Sequence, residues 1–316
     1  MNVAAERHHK FLELLASCDT LEPIPMAVVH PCDESAIEGA VTAAQRGLIT
    51  PVLVGPAARI RSAAARAGVA IDGLVLVETP HSHASAAKAV ELVRQGRVEA
   101  VMKGSLHTDE LMAEIVDRDS GLRTARRITH CFVMDVPSYP QLLIITDAAV
   151  NIAPTLDDKV DIVQNAIDLA RVLGIGEVRV AILSAMETVS SKVPSTIEAA
   201  ALCKMADRGQ ITGAELDGPL ALDNAIDLDA AEIKHIQSRV AGRANVLVVP
   251  DLEAGNMLAK SLSFMAQADA AGVVLGARVP VVLTSRADTV MSRLASCALA
   301  VRLAVARREG RARPLA

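Results

Sequence analysis

Residues 142–183 read LLIITDAAVNIAPTLDDKVDIVQNAIDLARVLGIGEVRVAIL, and the order of patterns within this stretch decides the fold. The run Leu142 to Thr146 is short, apolar and rich in β-branched residues, as a buried strand requires. Further on, Val160, Val163, Ile167, Ala170 and Leu173 recur at three- and four-residue spacing, which predicts a helix over Asp157 to Leu173 with these side chains on one face. Thr155 and Asp158 supply a variant capping box at its start, and Gly174 is a natural stop. A second apolar run, Val178 to Leu183, follows. A buried strand, an amphipathic helix and another buried strand make up the unit of a parallel sheet.

The same alternation extends outward in both directions. Met26 to Val29, Pro51 to Val54, Leu74 to Val77, Ala100 to Met102, Cys131 to Met134, Val246 to Val249 and Val281 to Thr284 read as further buried strands, with helical patterns between most of them. The expectation is an α/β fold built on a largely parallel sheet covered on both faces. No internal repeat, low-complexity tract or Gly/Ser linker marks a boundary, so composition alone gives one compact unit.

With 51% apolar and 22% charged residues in 316, the chain can build a large core. Its net charge of −5 gives no broad attraction to nucleic acid or anionic lipid. The aromatic residues are Phe11, Phe132, Tyr139 and Phe264, too few for a base-stacking platform, and the core must be Ala, Val, Ile, Leu and Met. The charge-free run Val136 to Thr146 has 11 residues and two prolines, where a membrane span needs about 20 apolar residues. The polar N-terminal segment lacks the apolar core of a signal peptide, so a cytoplasmic location is expected. Cys18, Cys32, Cys131, Cys203 and Cys297 are widely spaced and form no C-x-x-C pair; buried, reduced thiols are expected rather than disulfides or zinc ligands. No G-x-G-x-x-G follows an early strand and no P-loop motif occurs, which disfavours dinucleotide and P-loop chemistry.

Parallel sheets place ligands at the carboxyl ends of their strands. Four polar loops stand there. Thr284-Ser285-Arg286-Ala287-Asp288 leaves a strand and opens the last helix; free amides, a hydroxyl and a guanidinium make an anion site, and Ser285 or Asp288 also reads as an ordinary helix cap. Thr146-Asp147, with Asn151 and Pro154, is a site or a capped turn. Lys103-Gly104 brings an ammonium and a close backbone approach, or is a surface lysine. Pro250 to Asn256 holds two carboxylates and the Gly255-Asn256 pair, and is also readable as a tight turn. Cys131 beside His130 reads as a core thiol, and His81 and His83 as solvated residues without a zinc pattern.

Taken together, Val101-Met102-Lys103-Gly104 with Thr108 and Asp109, Gly121-Leu122-Arg123-Thr124, Thr146 to Pro154, Asp217 to Ala225, Pro250 to Asn256 and Pro280 to Asp288 resemble the phosphate acetyl/butyryltransferase family. The resemblance spans about Met26 to Val305, and the wording of Thr284 to Asp288 resembles its butyryltransferase-like branch. It implies two α/β domains like those of isocitrate and isopropylmalate dehydrogenases, an active site in the cleft between them, and a homodimer. By that analogy residues 1–150 and 279–316 form the first domain and 151–278 the second.

The implied reaction is reversible transfer of a short acyl group between coenzyme A and inorganic phosphate, with no metal and no redox cofactor. The resemblance implies that Ser285 and Arg286 bind and polarise the phosphate-bearing substrate. Where phosphate acetyltransferases carry an aspartate six residues beyond that arginine, this chain has Ser292; Asp288 is the nearest acid, as base or as cap. Lys103, Thr146, Asp147, Asn151, Gly255 and Asn256 would line the substrate site. The matched loops offer no Cys and no Ser–His pair, so direct attack without an acyl-enzyme is expected. Two other readings are a catalytically silent acyl-CoA-sensing domain and a metal- and NAD-dependent decarboxylating dehydrogenase, for which Asp217 and Asp251 exist but an arginine cluster does not. No hydratase activity, which would need an additional domain, is expected.

Overall fold

The computed structural model describes residues 8–284 and 288–311. Its elements run α1 (His9–Ala16), β1 (Ile24–Val29), α2 (Glu34–Gln45), β2 (Ile49–Gly55), α3 (Ala57–Ala67), β3 (Val75–Glu78), α4 (Ser82–Arg94), β4 (Ala100–Lys103), α5 (Thr108–Val116), β5 (Thr129–Asp135) and β6 (Leu143–Thr146). They continue with α6 (Leu156–Val172), β7 (Arg179–Leu183), α7 (Pro194–Asp207), β8 (Glu215–Leu220), α8 (Leu222–Ile226), α9 (Leu228–Ile233), β9 (Val246–Val248), α10 (Leu252–Met265), β10 (Asp269–Leu275), β11 (Val281–Val282) and α11 (Val290–Arg308). Every apolar run read as a strand is one. The capping box on α6 is present, with Thr155 accepting from the Asp158 amide and Asp158 from the Thr155 amide.

Two strands escaped the apolar pattern. β8 is the sequence ELDGPL, and its Pro219 is tolerated because β8 is the last strand in its sheet order, where one missing N–H breaks no ladder on the outer side. β10 opens on Asp-Ala-Ala-Gly, residues of low strand preference, and its place is fixed by pairing with β11 instead.

The chain divides into two units. A flanking unit comprises Phe11–Ile128 and Ala271–Ala316, and a central unit comprises Met1–Lys10 and Thr129–Ala270, so β5 and β6 belong with the middle of the chain. In the flanking unit the strands lie in the order β3-β2-β1-β4-β11-β10, all parallel from β3 to β11, with β10 antiparallel to β11. The chain steps from β1 outward to β3, then returns to lay β4 on the other side of β1. In the central unit the order is β5-β6-β9-β7-β8, with β5 and β6 an antiparallel pair and the rest parallel. Ala27, Val28, Val101 and Met102 in one unit, and Ile144, Ile145, Val246 and Leu247 in the other, are fully buried. The aliphatic core is as expected.

In the flanking unit the turn after β4 rests directly on the end of β1. Gly104 N donates to the Val29 carbonyl (2.9 Å) and Ser105 N to the His30 carbonyl (3.0 Å). A Cβ on Gly104 would stand 2.3 Å from the Val29 oxygen and 2.8 Å from the His30 carbonyl carbon, both backbone atoms that cannot swing aside. Gly104→Ala is therefore expected to cost about 2–4 kcal/mol, read as a lower urea midpoint at unchanged slope. A midpoint within error of the parent's would show that the turn tolerates displacement.

Candidate functional site

Neighbouring parallel strands end side by side, so the loops that follow them are brought together. In the central unit β6 and β9 are such neighbours, and the Thr146 loop meets the Asp251–Asn256 loop. Thr146 is fully buried, and its hydroxyl donates to the His130 carbonyl (2.9 Å). The Asp147 carboxylate, 2% exposed, accepts from four N–H groups: those of Ala149 (3.0 Å) and Val150 (2.9 Å) on Oδ1, and the His130 amide (3.1 Å) and Asn151 Nδ2 (2.6 Å) on Oδ2. A buried anion is tolerable only with such a set of donors. Asp147 thus shapes the turn 148–151 and does not cap α6, which Thr155 does.

The second loop packs against this turn. Asp251 caps α10 by accepting from the Ala254 amide (2.8 Å). Gly255, one turn in, faces Asp147: a Cβ there would lie 2.9 Å from the Asp147 carbonyl oxygen and 2.8 Å from Val249 Cγ2. Asn256 Nδ2 donates to the Ala148 carbonyl (3.3 Å). Thr146, Asp147, Asn151, Gly255 and Asn256 are therefore one cluster.

In the flanking unit β4 and β11 are the parallel neighbours. The Thr284 hydroxyl donates to the Lys103 carbonyl (2.8 Å), tying the start of the Thr284–Asp288 stretch to the Lys103-Gly104 turn. The Lys103 ammonium is half-buried and donates to the carbonyls of Gly104 (3.2 Å) and Leu106 (3.1 Å), which orders it rather than leaving it on the surface. Ser285 and Arg286 lie outside the described residues. Asp288 is half-buried. The cap of α11 is Thr289, which accepts from the Ser292 amide (3.1 Å), so the expectation that Ser285 or Asp288 caps this helix is corrected. Ser292 is itself buried in that first turn.

One residue of the central cluster entered the sequence reading only as the neighbour of a core thiol. His130 is 1% exposed, its Nδ1 has no hydrogen-bond partner among the described residues, and its ring stands edge-on to Phe132 at 4.5 Å. Burial pushes its pKa down to about 4, against the opposing pull of Asp147, so the imidazole is neutral. The β5–β6 register, in which Cys131 faces Thr146, sets His130 beside Asp147; that cross-strand pairing has no local signal. Cys131 and Cys297 are fully buried, and burial pushes their thiols, like that of Cys203, up to about 12; Cys18 and Cys32 are raised for the same reason. No group of three or more His, Cys, Asp or Glu residues gathers for a metal among the described residues. No described helix is long and apolar enough to cross a membrane.

Residues 77–301 match the family model described as phosphate acetyl/butaryl transferase. The chain is 63% identical over 299 residues, 95% of each chain, to a phosphate acetyltransferase of Rhizobium meliloti. It is 37% identical over 294 residues to a phosphate butyryltransferase of Clostridium acetobutylicum, covering 93% of this chain and 98% of that one. Among solved structures, a branched-chain phosphotransacylase from Enterococcus faecalis V583 superposes with a TM-score of 0.78 at 28% identity, over 89% of this chain and 99% of that one. A phosphotransacetylase from Streptococcus pyogenes, at 21% identity and TM-score 0.80 over 96% of this chain and 99% of that one, shares the fold. Matched over most of its length by the family model and by its relatives, with the loops of the resemblance joined at the ends of neighbouring strands, the chain belongs to the phosphate acetyl/butyryl transferase family.

Proposed function

We propose that the protein is a phosphate acyltransferase that moves a short acyl group, acetyl in preference to butyryl, between coenzyme A and inorganic phosphate. The observation that carries this reading is the bond from Thr284 to the Lys103 carbonyl, which joins two loops of the resemblance in one place in the flanking unit. The choice of acetyl rests on 63% identity across 95% of an acetyl enzyme, against 37% for a butyryl one. That outweighs the butyryltransferase-like wording of Thr284 to Asp288.

In this reading Ser285 and Arg286 hold the phosphoryl group, the guanidinium as a bidentate partner for its oxygens. A hydrogen phosphate oxygen attacks the thioester carbonyl, the oxyanion collapses and the C–S bond breaks, and the proton that the phosphate gives up goes to the departing thiolate. In the reverse direction the thiol loses that proton as its sulfur attacks the carbonyl carbon of the acyl phosphate, the C–O bond breaks and phosphate leaves. Asp288 is assigned the proton, since Thr289 performs the capping of α11. Lys103 supplies a positive charge beside the leaving phosphate. The chemistry needs neither metal nor redox cofactor, and a cytoplasmic homodimer completes the proposal.

Free thiol released from acetyl-, propionyl- and butyryl-CoA, followed with a thiol reagent in EDTA, is expected to require phosphate and to be fastest with acetyl-CoA. Release independent of phosphate, or abolished by EDTA, would refute the scheme. Arg286→Ala should lower turnover by about 10²–10³ while leaving the melting temperature in place; near-normal turnover would remove the anion site from this loop. The buried His130 makes a prediction about acid. Its folded pKa, about 4, lies below the unfolded value of about 6.5, so the unfolded chain takes up the proton first. Its contribution to stability is complete above pH ~6.5 and is lost on descending towards pH ~4, on the order of 3 kcal/mol. His130→Gln should flatten the acid side of the urea-midpoint curve by that amount, and parallel curves for the two proteins would show that His130 does not titrate in this way.

A further inference from the structure

The central unit carries a cavity of about 530 Å³ at the amino ends of β7, β8 and β9, the opposite end of these strands from the Thr146 and Asn256 cluster. Its volume suits a ligand of metabolite size. The loops around it are tied by one buried amide side chain. Asn245, 1% exposed, accepts from the Arg179 amide through Oδ1 (2.8 Å) and donates through Nδ2 to the Glu177 carbonyl (2.8 Å), which fixes the start of β7 against the residue before β9.

The lining carries donors in excess of acceptors. Arg243 is exposed, and its side chain makes no hydrogen bond or ion pair with any described residue. Ser238 Oγ accepts from the Val240 and Ala241 amides (3.0 Å each), which fills its lone pairs, and its own hydrogen has no acceptor among the described residues. Arg179 is held by Glu177 and Arg239 by Glu215 (3.0 Å); a guanidinium bound to one carboxylate keeps further N–H groups to donate. Another guanidinium stands at the rim. Arg171 Nη1 lies 2.7 Å from where a Cβ on Gly213 would be, so it rests on the bare backbone of that loop, and its side chain too has no partner among the described residues. Four guanidiniums thus gather around two carboxylates, in a chain whose net charge is −5.

We propose that this cavity binds a small polyvalent anion, a phosphorylated or polycarboxylic metabolite, whose acidic groups are met by Arg243, the Ser238 hydroxyl and the remaining N–H groups of Arg179 and Arg239. Guanidiniums take carboxylate and phosphate alike through paired N–H donors, so the two ligand classes share one recognition chemistry. The glutamates hold their arginines in place and also repel any anion. A single negative charge therefore gains little, and a multivalent ligand engaging several guanidiniums together gains most. The site stands apart from the transferase reading, since none of its residues is assigned to acyl transfer. Asn245 sets the ligand at the root of β9, the strand whose other end leads into the Asp251–Asn256 loop.

Calorimetry at about 0.15 M salt, where attraction by scattered surface charge is screened, tests this on the whole chain with citrate and inorganic pyrophosphate as probes. The parent should bind. Arg243→Gln and Arg239→Gln remove exposed side chains, which leaves the fold in place, and each should weaken binding about tenfold or more. Arg97→Gln removes the same charge from an exposed position of the flanking unit and should bind as the parent does. Arg286→Ala should also bind as the parent does, since the substrate's phosphate is assigned to that other loop. Tighter binding of pyrophosphate than of citrate identifies a phosphorylated ligand, and the reverse order a polycarboxylate. No binding by the parent overturns the inference, as do equal affinities in the parent and the two cavity variants, or an equal loss in Arg97→Gln. Loss in Arg286→Ala with none in Arg243→Gln would put the anion at the substrate's phosphate site and overturn it as well.

Discussion

Each of the two candidate clusters, one in each unit, depends on a place where backbone meets backbone with no side chain between. At Gly104 the turn after β4 lies on the end of β1, and at Gly255 the first turn of α10 lies on the Asp147 carbonyl. In each case the absent Cβ is what lets a loop from one strand lie against the loop of its neighbour. Once that contact is made, the remaining bonds are short-range consequences. Thr284 reaches the Lys103 carbonyl, Asn256 reaches the Ala148 carbonyl, and the Lys103 ammonium folds onto its own turn. A methyl group at either glycine would separate the loops before any polar contact was lost.

Electrostatics then fix the cluster around Asp147. A carboxylate removed from water is costly, and here four N–H groups replace its hydration. Three of them come from the turn the carboxylate shapes, two amides and the Asn151 side chain, and one from the neighbouring strand, so the carboxylate ties that turn to β5. Next to it stands a histidine kept neutral by burial. His130 therefore adds no charge to this cluster at neutral pH.

Much of this was legible in the sequence, because burial on both faces of a parallel sheet writes itself as unbroken apolar runs. Leu142 to Thr146 and Val178 to Leu183, with the amphipathic helix between them, carried the fold class. β8 was silent because an edge strand can afford Gly-Pro, and β10 because Ala and Gly in a covered strand look like any small-residue stretch. The site was half legible. Loops such as Thr146-Asp147 and Pro250 to Asn256 announced themselves by polarity after apolar strands, but the partners of Asp147 did not, since His130 reaches it through antiparallel register rather than through proximity in the chain. The cap of α11 fell to Thr289 rather than to Asp288 because capping is decided by which residue leaves the helical φ/ψ region, and several residues in that stretch have suitable oxygens.

The thiols of the chain carry a chemical consequence. Burial raises the pKa of all five cysteines, three of them to about 12, so the protein holds almost no thiolate at neutral pH. Disulfide exchange begins with a thiolate, and a protein that handles a thiol-bearing carrier meets the oxidised, disulfide form of that carrier whenever the cell is under oxidative stress. With its own sulfur protonated and enclosed, this chain is a poor partner for that exchange. The aliphatic core that the sequence advertised thus also acts as chemical insulation, keeping the protein's sulfur apart from the sulfur of its substrate.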